Sequence, residues 1–201
     1  MVTSRVIRQL KKNISKNQDA YNFLCKVVAR SPDNSKQLKE KNFRLEAAIS
    51  LANKLGIRTI MIPPSSYFSW DGAVMAVDTD TSVVLHDIAH WQLASPSRRT
   101  VPDFGLGASP ETGYSLVANK KKCIDNSLIE IEECCASLLG IAWEVYLGLN
   151  AKMSLIEQNW LELAERKFTS DLFISTFLRL KNRGFIDSSG NPLIRSITAS
   201  S

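Results

Sequence analysis

The chain's two histidines, His86 and His90, sit four residues apart in Val-Leu-His-Asp-Ile-Ala-His-Trp. On an α-helix that spacing places both imidazoles on one face, about 6 Å apart along the axis at a rise of ~1.5 Å per residue. Two imidazoles so placed can share one divalent metal ion, given a third ligand and an open position for chemistry. The surrounding residues favour a helix: Asp78-Thr-Asp-Thr-Ser82 offers several N-cap candidates, and neither Gly nor Pro interrupts Val83 to Ala94. A histidine pair at this spacing is also common as plain polar surface or as a satisfied core pair. Burying a free pair in so apolar a helix would be costly, which weighs toward a metal.

The third ligand is sought on a second helix, Asn126 to Leu147, which carries Glu130, Glu132 and Glu133. Glu132 is favoured because Ala136, one turn on, allows close helix approach. Glu133 is the alternative, with Ala136 and Ser137 after it, and Glu130 ranks third. Part of this acidic turn is explained simply by the helix dipole. Two imidazoles and one carboxylate make a 2-His-1-carboxylate set that suits non-haem Fe(II) and equally Zn(II). Asp87 bears on the choice. Zinc peptidases of the His-Glu-x-x-His type use that glutamate as general base. An aspartate retracts the carboxylate by roughly 1.5 Å, out of position for the metal-bound water. Peptidase chemistry is thereby disfavoured, and Asp87 is read as a catalytic-site group that orients a ligand or substrate.

The order His86-Asp-Ile-Ala-His90-Trp91, Arg98-Arg99, Asp103-Phe104-Gly105 and a later helical glutamate resembles the bacterial elongation factor P hydroxylase family. The resemblance runs from about Ile60 to Leu147. It implies an iron enzyme acting on the modified lysine of elongation factor P, with ligands at His86, His90 and Glu132. The chain departs from the family at Asp87, which replaces a glutamate, and at Leu106-Gly107, which replaces an aromatic stretch. Its amino-terminal extension is foreign to the pattern. Arg98 and Arg99 are candidates for an anionic substrate group or acidic partner, though a surface arginine pair has equal weight. Asp103 could accept the Nδ1–H of a ligating histidine, or simply cap its loop.

The elements that must position these groups form a mainly helical α+β chain. Residues 3–16, 18–30 and 35–55 read as helices. Leu38, Phe43, Leu45, Ile49, Leu51, Ala52 and Leu55 supply the buried face of the third, Ser31-Pro-Asp-Asn34 is a break, and Gly56 is a stop. Arg58–Ile62 reads as a strand. Asp71-Gly72 between Tyr67–Trp70 and Ala73–Val77 signals a two-residue hairpin, giving a zincin-like arrangement of metal helix beside a small sheet. Residues 95–125 read as a long functional loop, Met153–Leu180 as one long helix or a helical pair, Arg183–Ile194 as a short hairpin, and 196–201 as a frayed tail. Two layers are expected: a basic helical one, 1–56, and a metal-binding domain, 57–195, within one globular unit.

At 201 residues and 44% hydrophobic the chain can bury a core. It holds no apolar run long enough to span a membrane, and its first twelve residues lack a signal-peptide pattern, so a cytoplasmic protein is expected. Cys25, Cys123, Cys134 and Cys135 form no C-x-x-C pair, and the adjacent pair reads as packing. The charge is uneven. Residues 1–60 carry 13 Lys and Arg against 4 Asp and Glu, while the remainder carries 12 against 16. Without aromatics among the lysines, this basic third suggests a solvated face or an acidic protein partner rather than nucleic acid. A zinc hydrolase and a non-enzymatic, metal-stapled interaction protein are the other functions this sequence allows.

Overall fold

The computed structural model describes residues 2–29, 37–158, 160–161 and 167–194. The Ser31–Asn34 break, the side chains of Leu38 and Phe43, and the 196–201 tail lie outside them. The chain is mainly helical with a two-stranded parallel sheet. It forms two compact units, Met1–Pro32 with Ser137–Ser201, and Asp33–Ala136. The 57–195 segment is thus shared between them, and residues 37–54 fold with the histidine helix. No helix among the described residues is long and apolar enough to cross a membrane.

The Asp33–Ala136 unit begins with α3 (Gln37–Lys54), following α1 (Val2–Ile14) and α2 (Gln18–Ala29) of the other unit. Ala48, Leu51, Ala52 and Leu55 are buried. The helix closes when Gly56 takes φ +78° and the Ile57 N–H returns to the Ala52 carbonyl at 2.9 Å, a turn that favours a residue without a Cβ. β1 (Arg58–Ile60) follows and pairs in parallel with β2 (Val74–Ala76), with Thr59 opposite Met75.

The expected hairpin is reduced to one antiparallel bridge, Trp70 with Met75. The turn itself forms: Asp71 Oδ1 accepts the Ala73 and Val74 N–H groups at 2.7 Å each, and Gly72 takes φ +102°. The Tyr67 end of the would-be strand is engaged elsewhere. Gly113 N–H donates to the Pro64 and Tyr67 carbonyls, and Tyr114 N–H to that of Tyr67. β2 therefore finds its ladder on β1.

The sheet feeds α4 (Thr81–Leu93), whose first turn starts on the Asp80 carbonyl. Val84, Leu85, Ile88, Ala89, Trp91 and Leu93 are all buried. A helix apolar on nearly every side belongs inside a core, and α4 packs against α3. The 95–125 segment is more ordered than a plain loop. It contains 3₁₀ turns at Arg98–Thr100 and Pro102–Gly105, then α5 (Ser115–Lys120). α6 (Asn126–Leu147) completes this unit with its first half.

In the other unit, α1 (Val2–Ile14) and α2 (Gln18–Ala29) pack against α8 (Lys167–Asn182), and α2 also packs against α7 (Ala151–Glu157). α7 and α8 are the helical pair expected within 153–180. Phe23 sits 6.3 Å from Phe173 and 5.7 Å from Phe177, ring centre to ring centre. The amino-terminal charge lies on the opposite side of α1, where Arg5, Arg8 and Lys12 are exposed while Leu10 and Ile14 are buried. The carboxy-terminal turn carries one bridge, Ile186 with Pro192.

Candidate metal centre

All the candidate site residues fall in the Asp33–Ala136 unit. α4 projects His86 and His90 from one face, as their spacing requires, with Nε2 atoms 2.9 Å apart. The carboxylate that meets them is Glu133 of α6. Its Oε2 lies 3.2 Å from His86 Nε2 and 3.4 Å from His90 Nε2. His86, His90 and Glu133 thus form a group that could hold a metal ion. Three atoms so separated lie on a circle of about 1.8 Å radius, inside the ~2.0–2.2 Å bonds that imidazole and carboxylate make to a divalent metal. One ion can therefore reach all three at once. His90 is almost fully enclosed, whereas 22% of the His86 side chain and 47% of the Glu133 side chain are exposed. The centre is buried on its His90 side and faces solvent along the His86–Glu133 edge.

Glu132, the favoured third ligand, has another task. Its two oxygens receive both terminal nitrogens of Arg98, at 2.8 and 2.7 Å. Its Oε1 also lies 3.4 Å from His90 Nδ1. A proton on Nδ1 shared with Glu132 leaves the Nε2 lone pair directed at the metal position, the carboxylate–histidine arrangement of many metal sites. Asp103, for which that role and a loop-capping one were both open, takes the second. Asp103 Oδ1 accepts the Trp70 N–H at 3.2 Å, Oδ2 accepts the Thr112 hydroxyl at 2.7 Å, and its own N–H donates to the Trp70 carbonyl at 2.8 Å. Asp103 therefore fastens the loop to the strand region.

That loop is unusual. Asp103, Phe104 and Gly105 all take positive φ, at 44°, 57° and 72°, a run that costs energy for the two non-glycine residues. It places the Phe104 ring in stacked contact with both Trp70 (5.6 Å, 6° between planes) and His90 (5.9 Å, 20°). Sequence reasoning gave Phe104 no role, and no local signal for this stack exists beyond the Asp-Phe-Gly string.

Both arginines are engaged within the protein, Arg98 with the Glu132 carboxylate. Arg98 Nε donates to the Phe104 carbonyl at 2.9 Å. The Arg99 guanidinium lies 3.8 Å over the Trp91 ring, and its Nε donates to the Trp91 carbonyl at 2.8 Å. Asp87 is buried at 6% exposure, and its Oδ2 has no hydrogen-bond partner. Burial pushes its carboxyl up to about 8, against the pull of the His90 charge. Glu130 is exposed and outside the group, and Cys135 is buried as a packing residue.

The electrostatics follow from this crowding. Burial alone would push His90 down. Its hydrogen bonds to Glu132 and Glu133 more than reverse that, and the imidazole rises to about 9. His86 falls below its ordinary value, chiefly through burial. Glu133 is held well below the usual carboxylate range, because contacts with His86 and His90 outweigh its burial. Glu132 is also lowered, by His90 and then Arg98 against the effect of burial. Left to themselves, these groups form a proton-holding ion cluster. A divalent cation would take the proton's place.

No protein-family model, no curated protein and no solved structure matches this chain.

Proposed function

We propose that the chain is a mononuclear non-haem metal enzyme of hydroxylase type, with Fe(II) held by His86, His90 and Glu133 on a zincin-like helix. The observation that carries this reading is the convergence of three donor atoms at single-ion spacing on an edge open to solvent. Open coordination positions distinguish a catalytic metal from a structural one. When bound, Fe(II) would supply activation of O2 toward an organic substrate, with an external two-electron donor reducing the second oxygen atom to water.

The chain's own residues do the rest. Glu132 accepts the Nδ1 proton of His90 and fixes which nitrogen faces the ion. Phe104 covers one face of the His90 ring and keeps water from it. The exposed His86–Glu133 edge is where a substrate would approach. The order of motifs shared with elongation factor P hydroxylases supports a protein side chain, a lysine derivative on an elongation factor P-like partner, as the substrate.

A zinc hydrolase is the weaker alternative. Its general base must reach the metal-bound water, and Asp87, the residue in that position, is buried. The exposure of His86 and Glu133 likewise counts against a metal that only staples two helices.

The test is elemental analysis of untagged protein beside a His86→Ala/His90→Ala control, followed by incubation of the iron form with O2, a two-electron reductant such as ascorbate, and an elongation factor P bearing its modified lysine, so that one oxygen atom enters the substrate and the other leaves as water. The proposal expects near-stoichiometric iron, lost in the control, and a gain of one oxygen atom on the partner by mass spectrometry. Zinc at full occupancy that iron cannot replace, or no metal after attempted reloading, would refute it.

A further inference from the structure

Two adjacent glutamates of α6 approach the same pair of histidines, and nothing intrinsic to a carboxylate separates them. Consecutive helical residues point about 100° apart, so Glu132 and Glu133 arrive on different sides of the His90 ring. Glu132 meets the Nδ1 edge and Glu133 the Nε2 edge. What distinguishes their surroundings is Arg98. Its fork engages both oxygens of Glu132, at 2.8 and 2.7 Å. Its Nε is tied to the carbonyl of Phe104, which the left-handed backbone presents. Arg98 and Glu132 are both mostly buried, at 18% and 14% side-chain exposure. A bidentate pair of this kind is strong and directional, and breaking it strands a charge out of water.

We propose that Arg98 selects the metal ligand: by locking Glu132 onto the Nδ1 edge of His90, it leaves Glu133 as the carboxylate that coordinates. Arg98 is a positioning residue and never touches the ion. Without it, the Glu132 oxygens lose their two best donors, and the side chain is free to swing about its three rotatable bonds toward the ion. The ligand set then changes to Glu132 or to both glutamates. This rests on the reading that His86, His90 and Glu133 bind metal.

The experiment is a double-mutant cycle on the full chain, with Co(II) as the probe, reading affinity by competition and ligand set by visible absorption. The proteins are the unsubstituted chain, Glu133→Gln, Arg98→Met and the double variant. Loss of a residue that only orients a ligand costs roughly 10–100-fold in affinity. Loss of the ligand itself should cost more, so with Arg98 present Glu133→Gln should weaken Co(II) binding by more than about 100-fold. In the Arg98→Met background the same change should cost about 10-fold or less, because Glu132 substitutes. The Co(II) spectrum of Arg98→Met should also differ from that of the unsubstituted chain. Arg98→Lys keeps the charge without the fork and serves in the same cycle if Arg98→Met loses its helical circular dichroism. Equal losses for Glu133→Gln in both backgrounds, with an unchanged spectrum, overturn the proposal while leaving the metal centre standing. Failure of the unsubstituted chain to bind Co(II) overturns the metal centre, and this inference with it.

Discussion

Phe104 offers a way to separate what a ring contributes to the centre from what its backbone costs. The ring is 2% exposed and stacks with both Trp70 and His90. Truncating a buried Phe to Ala costs about 3–5 kcal/mol, and two stacking partners place this site in the middle of that range or above it. The backbone at Phe104 is left-handed, φ 57°. An L-residue there pays about 1–2 kcal/mol that glycine avoids. Glycine's greater freedom in the unfolded chain returns about 0.5–1 kcal/mol of that difference. Phe104→Ala should therefore destabilise the chain by about 4 kcal/mol and Phe104→Gly by about 0.5–1 kcal/mol less. At most positions in regular structure the order is reversed. Urea denaturation followed by far-ultraviolet circular dichroism gives the order, and competition titration gives the second readout. With His90 uncovered on one face, both variants should bind Co(II) about tenfold more weakly. A glycine variant no more stable than the alanine variant would refute the claim of backbone cost. Unchanged Co(II) affinity in both would refute the claim that the ring holds His90.

Two further outcomes are expected. Metal affinity should rise with pH: His90 is protonated up to about 9, coordination needs its Nε2 lone pair, and each unit below that value should cost about tenfold in Co(II) affinity; affinity that is flat between pH 6 and pH 8 would contradict the ion cluster. Arg99→Lys should lose the flat stacking on Trp91 and the fixed Nε–H to its carbonyl, lowering stability by about 1 kcal/mol with Co(II) affinity unchanged, whereas a large fall in affinity would show that the two arginines are not divided in their tasks.

Much of the centre was legible because helical spacing is local information. His86 and His90 needed only a helix, and the glutamate segment needed only a second one. Choosing between Glu132 and Glu133 was not legible, because the choice is made by Arg98. That side chain's reach depends on two 3₁₀ turns and a left-handed loop that no periodicity announces. The two roles open to Asp103 could not be separated for the same reason: its partners, Trp70 and Thr112, come from either side of it in sequence, 33 and 9 residues away. The shortness of the hairpin, which closes on the Trp70–Met75 pair and goes no further, is of another kind. Asp71-Gly72 does turn the chain, but a turn signal cannot tell whether the flanking residues keep each other as partners. Here Gly113 and Tyr114, some forty residues on, engage the first arm, and β1 takes the second.

The Trp70–Phe104–His90 column has an optical consequence. An indole and the His90 imidazole each stack on the single ring of Phe104, at 6° and 20° between planes. A paramagnetic ion seated against His90 would quench the emission of Trp70, whereas a closed-shell ion would leave it bright. Were a metal bound there, the tryptophan emission, to which Trp91, Trp143 and Trp160 also contribute, would respond to whether the ion is paramagnetic.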